Sequence, residues 1–194
     1  MNSVYKWRTI DVVVAAVLAV AFGVVFWAWN LVWNAADASL GFFPPLKAII
    51  YGVWLIPAVL APLIIRKAGA GLLTEALAAT VSALLGSQWG VVTIWSGLTE
   101  GLGGELAFAA GRYRRFGLPT SVVSGALAGL FASTFDTVLY YPTLGFLSYQ
   151  VPYVAFATLS SAVIAGLGAP ALVKALAATG VLDRFPAGRG RALV

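Results

Sequence analysis

The chain has 194 residues, of which 61% are hydrophobic and only 10% are charged, with a formal net charge of +5. Soluble domains carry about 25% charged residues, so a water-soluble protein of this size has no means of burying so much apolar surface. The composition therefore predicts a polytopic membrane protein. The chain has no cysteine and no histidine. This excludes disulfides, removes the commonest general base and metal ligand, and argues against an enzyme.

Six apolar segments are candidates for crossing a bilayer, which needs about 20 predominantly apolar residues per helix. They cover residues 12–33, 46–65, 71–85, 91–111, 121–141 and 151–174, and the third is the shortest. The apolar run after the short basic N-terminus is too long for a signal peptide, so we expect a retained first span. The sequence thus predicts an all-α membrane protein, a six-helix transmembrane bundle forming a single integral-membrane domain over residues 1–194.

Positive charges fall almost entirely on one side of this six-span arrangement. Only Lys47 lies on the other side. The remaining eleven of the twelve basic residues are Lys6, Arg8, Arg66, Lys67, Arg112, Arg114, Arg115, Lys174, Arg184, Arg189 and Arg191. The positive-inside rule then predicts cytoplasmic N- and C-termini. The basic charge is explained by this topology and by an anionic lipid leaflet, and not by binding of nucleic acid.

The predicted outer loops differ from the inner ones. They are rich in aromatic residues, proline and glycine and nearly free of charge, and they cover residues 34–47, 86–90 and 140–150. Aromatic residues at such positions are commonly interfacial belt residues. Three aromatic loops above a compact bundle are also consistent with the lid of a pocket, which makes Tyr141 a candidate binding residue.

Four carboxylic acids lie inside the predicted spans, namely Glu75, Glu100, Glu105 and Asp136. A carboxylate at the bilayer centre costs roughly 2.5–3.5 kcal/mol on insertion scales, so each of them needs a structural or functional reason. Glu75 and Glu105 lie toward the predicted cytoplasmic ends of their spans. There they can pair with basic residues such as Arg66, Lys67 or Arg112 or cap a helix end, and both also remain candidates for the binding site.

Glu100 and Asp136 lie deeper, at similar depths, and apart from lysines at the very ends of two spans no Lys or Arg lies within the membrane to neutralise them. They must be protonated, hydrogen-bonded to polar side chains, or facing a cationic or donor-rich ligand, and we favour the ligand. Gly97, Gly101 and Gly104 leave one side of the same span almost bare, which permits close approach by a helix or a ligand.

Aromatic and polar residues near these acids complete the candidate site. Tyr51 and Trp54 lie one turn apart in the outer half of the second span, where they can form a wall suited to a flat organic cation. Trp95, five residues before Glu100 and not on the same stripe of the helix, is a further aromatic candidate. Asn30 and Gln88, near the outer ends of their helices, can supply hydrogen bonds.

A stripe of small residues runs along the first span at Ala15, Ala19 and Gly23. Their i, i+4, i+8 spacing lets two helices come close together. Such stripes mostly serve packing within one bundle, and this one is also a candidate surface for docking a partner subunit.

Three functional classes remain compatible with the residues. They are a ligand-binding membrane subunit, an intramembrane enzyme using Glu or Asp, and a secondary transporter or channel for a small organic cation that works without ATPases. The enzyme is disfavoured because His and Cys are absent. There is no phosphate-binding P-loop, and the glycine-rich run at residues 101–104 has no βαβ context. No catalytic residue, metal site or cofactor is predicted.

Distinctive segments are distributed along essentially the whole chain: YGVW (51–54), IRKAGAGLLTEALAA (65–79), LLG (84–86), EGLGGELAF (100–108) and the region around Asp136. In these segments the chain resembles the YkoE-type substrate-binding (S) components of energy-coupling-factor (ECF) transporters. The resemblance implies a non-catalytic subunit of a bacterial plasma-membrane importer. Such subunits bind thiamine or its hydroxymethylpyrimidine (HMP) moiety from outside and associate with a transmembrane coupling subunit and two cytoplasmic ATPases. In the family the first helix meets the coupling subunit through small residues, a pattern that Ala15, Ala19 and Gly23 match.

Overall fold

The computed structural model describes residues 3–189, so Arg191, one of the basic residues assigned to the cytoplasmic side, lies outside the described residues. Every regular element within residues 3–189 is helical, which confirms the all-α prediction. The α-helices are α1 (Thr9–Ser39), α2 (Ile56–Ile65), α3 (Ala70–Leu84), α4 (Val92–Ala110), α5 (Leu118–Leu139), α6 (Val151–Ala178) and the short α7 (Pro186–Arg189). Two 3-10 helices (Ser3–Tyr5 and Pro44–Val53) and a π-helical turn (Phe146–Gln150) complete the list.

Each of the six predicted spans coincides with a helical segment. Among the described residues, four segments are long and apolar enough to cross a membrane: Thr9–Ser39, Pro44–Ile65, Leu118–Leu139 and Phe146–Ala178. The other two are α3, a shorter apolar helix of 15 residues, and α4, whose 19 residues include two glutamates. The structure therefore supports a multi-pass helical membrane protein with four candidate spans.

The second predicted span is not one continuous α-helix. Its outer half, Pro44–Val53, is a 3-10 helix of 10 residues, whereas such runs seldom exceed 3–4 residues. The N–H of Gly52 donates to Ser160 Oγ at 3.1 Å, and that hydroxyl donates to the carbonyl of Ile49 at 2.7 Å. A Cβ at Gly52 would lie 2.6 Å from the Ser160 carbonyl oxygen, so this close backbone contact with α6 requires glycine. Side-chain and backbone contacts with α6 thus stabilise the tightened turn.

The loops that carry most of the positive charge meet at one end of the bundle. The N–H of Ala68, in the α2–α3 loop, donates to the carbonyl of Val4 at 3.2 Å, and Trp7 Nε1 donates to the Ala68 carbonyl at 3.1 Å. At the same end Arg66 lies 5.1 Å above the ring of Phe116 in the α4–α5 loop. This arrangement groups the basic N-terminus and the two basic loops together at one end of the bundle.

The small residues of α1 and the glycine face of α4 both pack against helices of this chain. Ala15, Ala19 and Gly23 are buried, and a Cβ at Gly23 would lie 2.5 Å from the Cβ of Val81 in α3. The stripe considered for partner docking is therefore covered by the chain itself. In α4, a Cβ at Gly101 would lie 2.8 Å from the Cα of Leu72, so the bare face serves helix packing.

Two glycines of α6 allow a matched test of this close packing. A Cβ at Gly166 would lie 2.7 Å from the Cα of Val122 in α5, whereas a Cβ at Gly168 meets nothing within 4 Å. We expect Gly166→Ala to lower the free energy of unfolding by about 1–3 kcal/mol through overpacking. Gly168→Ala should be neutral or stabilising by up to about 1 kcal/mol because alanine favours helix. Thermal unfolding in detergent measures both, and equal unfolding temperatures would contradict the prediction.

Candidate ligand-binding site

A cavity of about 60 Å³ lies between the ends of the helices that are distant from the basic loops. It is bordered by α1, the Pro44–Val53 helix, α3, α4, the end of α5 and the start of α6. Its lining residues are Phe26, Asn30, Trp33, Tyr51, Trp54, Ala79, Ser82, Trp89, Thr93, Ser96, Glu100, Asp136, Tyr140, Tyr141 and Tyr153. The cavity thus combines two carboxyl groups with a largely aromatic wall.

Asp136 is held in place by two tyrosine hydroxyls. Tyr51 and Tyr153 are both buried, and each donates a hydrogen bond of 2.8 Å to Asp136 Oδ2. Because both hydroxyls donate to the same oxygen, Oδ1 remains available to another donor. The pair of hydrogen bonds fixes the carboxyl group in one orientation at the cavity wall.

Glu100 reaches the cavity from α4 and is backed by Glu75 from α3. The two carboxyl groups lie close enough to interact, and a hydrogen bond between them requires a proton on one of the two. Glu75 Oε2 also accepts the N–H of Ala58 at 2.8 Å, in the first turn of α2. Glu75 therefore satisfies a backbone donor exposed by the break between the 3-10 helix and α2, while it orients Glu100 toward the cavity.

The aromatic wall is a connected cluster. Trp33 contacts Tyr51 and Trp54 with ring centroids 5.8 and 5.0 Å apart, and Trp54 meets Trp89 edge-on at 5.6 Å. Trp54 is also anchored by a hydrogen bond of 3.4 Å from Nε1 to the carbonyl of Phe26. Rings arranged in this way can present their faces to a planar ligand or a cation.

Lys47 closes the aromatic cluster at the end farthest from the basic loops. Its Nζ lies 2.5 Å from Asp37 Oδ1, 5.2 Å from the ring centroid of Trp33 and 5.4 Å from that of Tyr141. The side chain is buried, whereas the Asp37 side chain is about half exposed. Trp33 and Tyr141 both line the cavity, so this ammonium group lies beside the site.

Comparison with known proteins places the chain in a family. A family profile described as the permease component of an ABC-type cobalt transport system matches residues 10–131. YkoE of Bacillus subtilis (strain 168), named as an HMP/thiamine permease protein, is 32% identical over 189 residues, covering 95% of this chain and 92% of that protein. The crystal structure of an S component of an ECF transporter matches with a TM-score of 0.88 and 30% identity, covering 96% of this chain and 94% of that one. The chain belongs to the YkoE-type S components of ECF transporters.

An S component is a transport subunit, so the chain is a non-catalytic protein of the cell membrane. Six of the ten residues predicted for its binding site line the cavity. They are Asn30, Tyr51, Trp54, Glu100, Asp136 and Tyr141. The structure thus brings Glu100 and Asp136 to one cavity, together with both aromatic residues of the second predicted span.

The other four predicted residues lie outside the cavity of the S component. The Trp95 side chain is 65% exposed, so it faces away from the bundle. Gln88 is exposed, and its Oε1 accepts a hydrogen bond of 2.7 Å from Asn34 Nδ2. Glu75 lies behind Glu100, and Glu105 is at the other end of α4.

Glu105 caps the start of α3. Its carboxylate accepts the N–H groups of Gly69 at 2.7 Å and Gly71 at 2.8 Å, which have no partner within the helix. Gly69 adopts a φ of 82°, a conformation that favours glycine. Burial is the main reason that the pKa of Tyr113 is raised above its usual value, and the nearby Glu105 carboxylate raises it further. The Tyr113 phenol therefore stays a neutral donor beside Glu105. This geometry matches the helix-cap alternative for Glu105.

The sequence prediction missed five aromatic lining residues, Phe26 among them, and the adjoining lysine. Trp33, Trp89 and Tyr140 stand at span ends, where an aromatic residue is equally typical of the interfacial belt. Tyr153 lies at the start of α6, and no local pattern links it to Asp136. Lys47 did carry a signal, because it is the one basic residue on the predicted outer side.

Proposed function

We propose that this S component captures thiamine or its HMP moiety from outside the cell and delivers it through an ATPase-driven importer. The observation that supports this best is the cavity in which Glu100 and Asp136 face an aromatic wall. Thiamine joins a permanent thiazolium cation to an aminopyrimidine, and such a ligand needs aromatic faces, a carboxylate and hydrogen-bond acceptors. The relative named as an HMP/thiamine permease supports the same ligand class.

In this proposal the two carboxyl groups recognise the aminopyrimidine. The exocyclic amine and a ring nitrogen of the pyrimidine form a donor–acceptor edge that can meet Glu100, which lies beside Glu75. Asp136 Oδ1 offers a second acceptor because Oδ2 is occupied by the two tyrosines. The rings of Trp33, Tyr51 and Trp54 enclose the flat part of the ligand.

The cavity must enlarge when such a ligand enters. A cavity of about 150 Å³ accepts a benzene ring, and the cavity of about 60 Å³ is smaller than that. We therefore expect aromatic walls to move on binding. Three of the seven tryptophans, Trp33, Trp54 and Trp89, line the cavity, so tryptophan fluorescence should report the event.

We also propose the predicted topology for this S component, with six spans in a single membrane domain and both termini in the cytoplasm. It is supported by the grouping of the basic N-terminus and loops at one end of the bundle and of the cavity at the other. The cavity then faces outward and the basic end faces the ATPases. The proposed partners are a transmembrane coupling subunit and two cytoplasmic ATPases. Their contact with this chain uses a surface other than the buried Ala15–Ala19–Gly23 stripe.

Titration of the detergent-purified protein with thiamine and with HMP tests the ligand. We expect saturable tryptophan quenching, and we expect Glu100→Gln to weaken binding by about tenfold or more, equivalent to 1.4 kcal/mol. Trp95→Phe is a matched control on the same helix, because its side chain faces away from the cavity. Cobalt ions, which the family description names, serve as a comparison ligand. No response to either organic ligand would overturn the assignment.

Transport distinguishes the S component from a secondary transporter or channel. The chain alone, reconstituted in liposomes, should bind ligand without accumulating it. Uptake should appear only with the coupling subunit, the ATPases and ATP. Proton-driven uptake by the chain alone would instead support the transporter that works without ATPases.

A further inference from the structure

Lys47 places a positive charge of the protein itself beside two rings that line the cavity, those of Trp33 and Tyr141. Its ammonium group is 5.2 Å from the Trp33 centroid and 5.4 Å from the Tyr141 centroid, within the distance of a cation–π interaction. The residue is 6% exposed, so solvent screens this charge only weakly. The positive charge of Lys47 also interacts electrostatically with Asp136 on the cavity wall. Any ligand in the cavity therefore lies close to an ammonium group.

The charge of Lys47 is only partly compensated. Asp37 pairs with it at 2.5 Å, but the Asp37 side chain is 55% exposed and shares its charge with solvent. Asp136 already accepts two tyrosine hydroxyls at its Oδ2 atom. The Lys47 ammonium group would repel a second cation placed against Trp33 or Tyr141, because the two charges would lie close together and solvent screens them only weakly.

We propose that Lys47 is a specificity-determining residue that disfavours the thiazolium cation relative to the uncharged pyrimidine. The proposal rests on the function proposed above and names a preference within its ligand class. Thiamine and HMP share the aminopyrimidine, so their hydrogen bonds with Glu100 and Asp136 are common to both. Only thiamine carries the permanent charge that the Lys47 ammonium group repels.

The ratio of the two dissociation constants isolates this effect. Lys47→Met keeps an unbranched side chain of similar length and removes the charge. We expect it to raise thiamine affinity relative to HMP affinity by about tenfold, and Lys47→Gln should act in the same direction. Lys47→Arg keeps the charge and should preserve the wild-type ratio. Isothermal titration of detergent-purified variants measures both constants, with thermal unfolding as the test of folding.

Asp37→Asn supplies a variant with the opposite expected sign. It removes a surface carboxylate and leaves the Lys47 charge uncompensated, so the ratio should shift toward HMP. If the ratio of dissociation constants in Lys47→Met and Lys47→Gln stays within about twofold of wild type, the proposal for Lys47 is overturned and the proposed function is left intact. If neither of these variants folds, the same criterion is applied to Asp37→Asn. Failure of the wild type to bind either ligand would overturn both.

Discussion

Asp136→Ala is expected to weaken thiamine or HMP binding by more than tenfold, which corresponds to more than 1.4 kcal/mol. The substitution removes the acceptor that faces the ligand. It also leaves the hydroxyls of Tyr51 and Tyr153 buried without their partner, at a cost of about 1–3 kcal/mol each. Titration calorimetry on the purified variant measures the loss. Unchanged affinity would remove Asp136 from the site.

Conservative variants separate the two contributions of Asp136. Asp136→Asn keeps an oxygen that can accept the tyrosine hydroxyls and removes the negative charge. If charge dominates, this variant loses affinity for thiamine more than for the uncharged pyrimidine. Tyr153→Phe removes one hydroxyl and keeps the carboxylate, so it should reduce affinity by a smaller factor than Asp136→Ala. An equal loss in Tyr153→Phe would show that orientation of the carboxyl group matters more than its charge.

The membrane cost of a carboxylate indicated correctly that the four buried acids need partners, but it did not assign those partners. Glu105 accepts from Gly69 and Gly71, which lie 36 and 34 residues away in the chain. Glu75 accepts from Ala58 in the preceding segment. Which backbone N–H groups lack partners depends on where helices begin, and helix ends are only approximately fixed by local sequence. The assignment therefore required the three-dimensional structure.

The second span shows the same limit for backbone conformation. Its hydropathy predicts a single helix, and composition alone gives no reason for a 3-10 helix of 10 residues. The contacts that stabilise that helix come from Ser160, 108 residues from Gly52. A local signal existed in the paired prolines at its start and in Gly52, since proline and glycine often mark irregular helical turns. That signal does not identify the partner helix.

Depth within a span predicts the aromatic lining better than distance along the chain from a carboxylate. Tyr51 and Trp54 are predicted from their depth in the outer half of the second span, and both line the cavity. Trp95 lies close to Glu100 in sequence and does not line the cavity. Five residues along an α-helix correspond to well over one turn, which turns the two side chains to different faces. The exposure of Trp95 follows from that geometry.

Glu75 provides the second large predicted effect, because it joins the binding site to the break in the second span. Glu75→Leu removes the acceptor of the Ala58 N–H and the hydrogen-bond partner of Glu100, both in the interior of the bundle. An unsatisfied backbone donor inside a membrane protein costs several kcal/mol before relaxation. We expect the free energy of unfolding to fall by about 1–3 kcal/mol, measured by denaturant titration in detergent micelles. Ligand affinity should fall with it, because Glu100 is no longer oriented.

Glu75→Gln distinguishes the hydrogen bonds of Glu75 from its ability to carry a proton or charge. The amide oxygen can accept the Ala58 N–H while the amide nitrogen donates to Glu100, so the variant should unfold within about 0.5 kcal/mol of wild type. It also replaces the shared proton by a fixed donor, which leaves Glu100 as the acceptor in the pair. If Glu75→Gln is as destabilised as Glu75→Leu, the role of Glu75 is not hydrogen bonding to these two groups. Normal stability with altered ligand affinity would show that the pair controls the charge presented to the ligand.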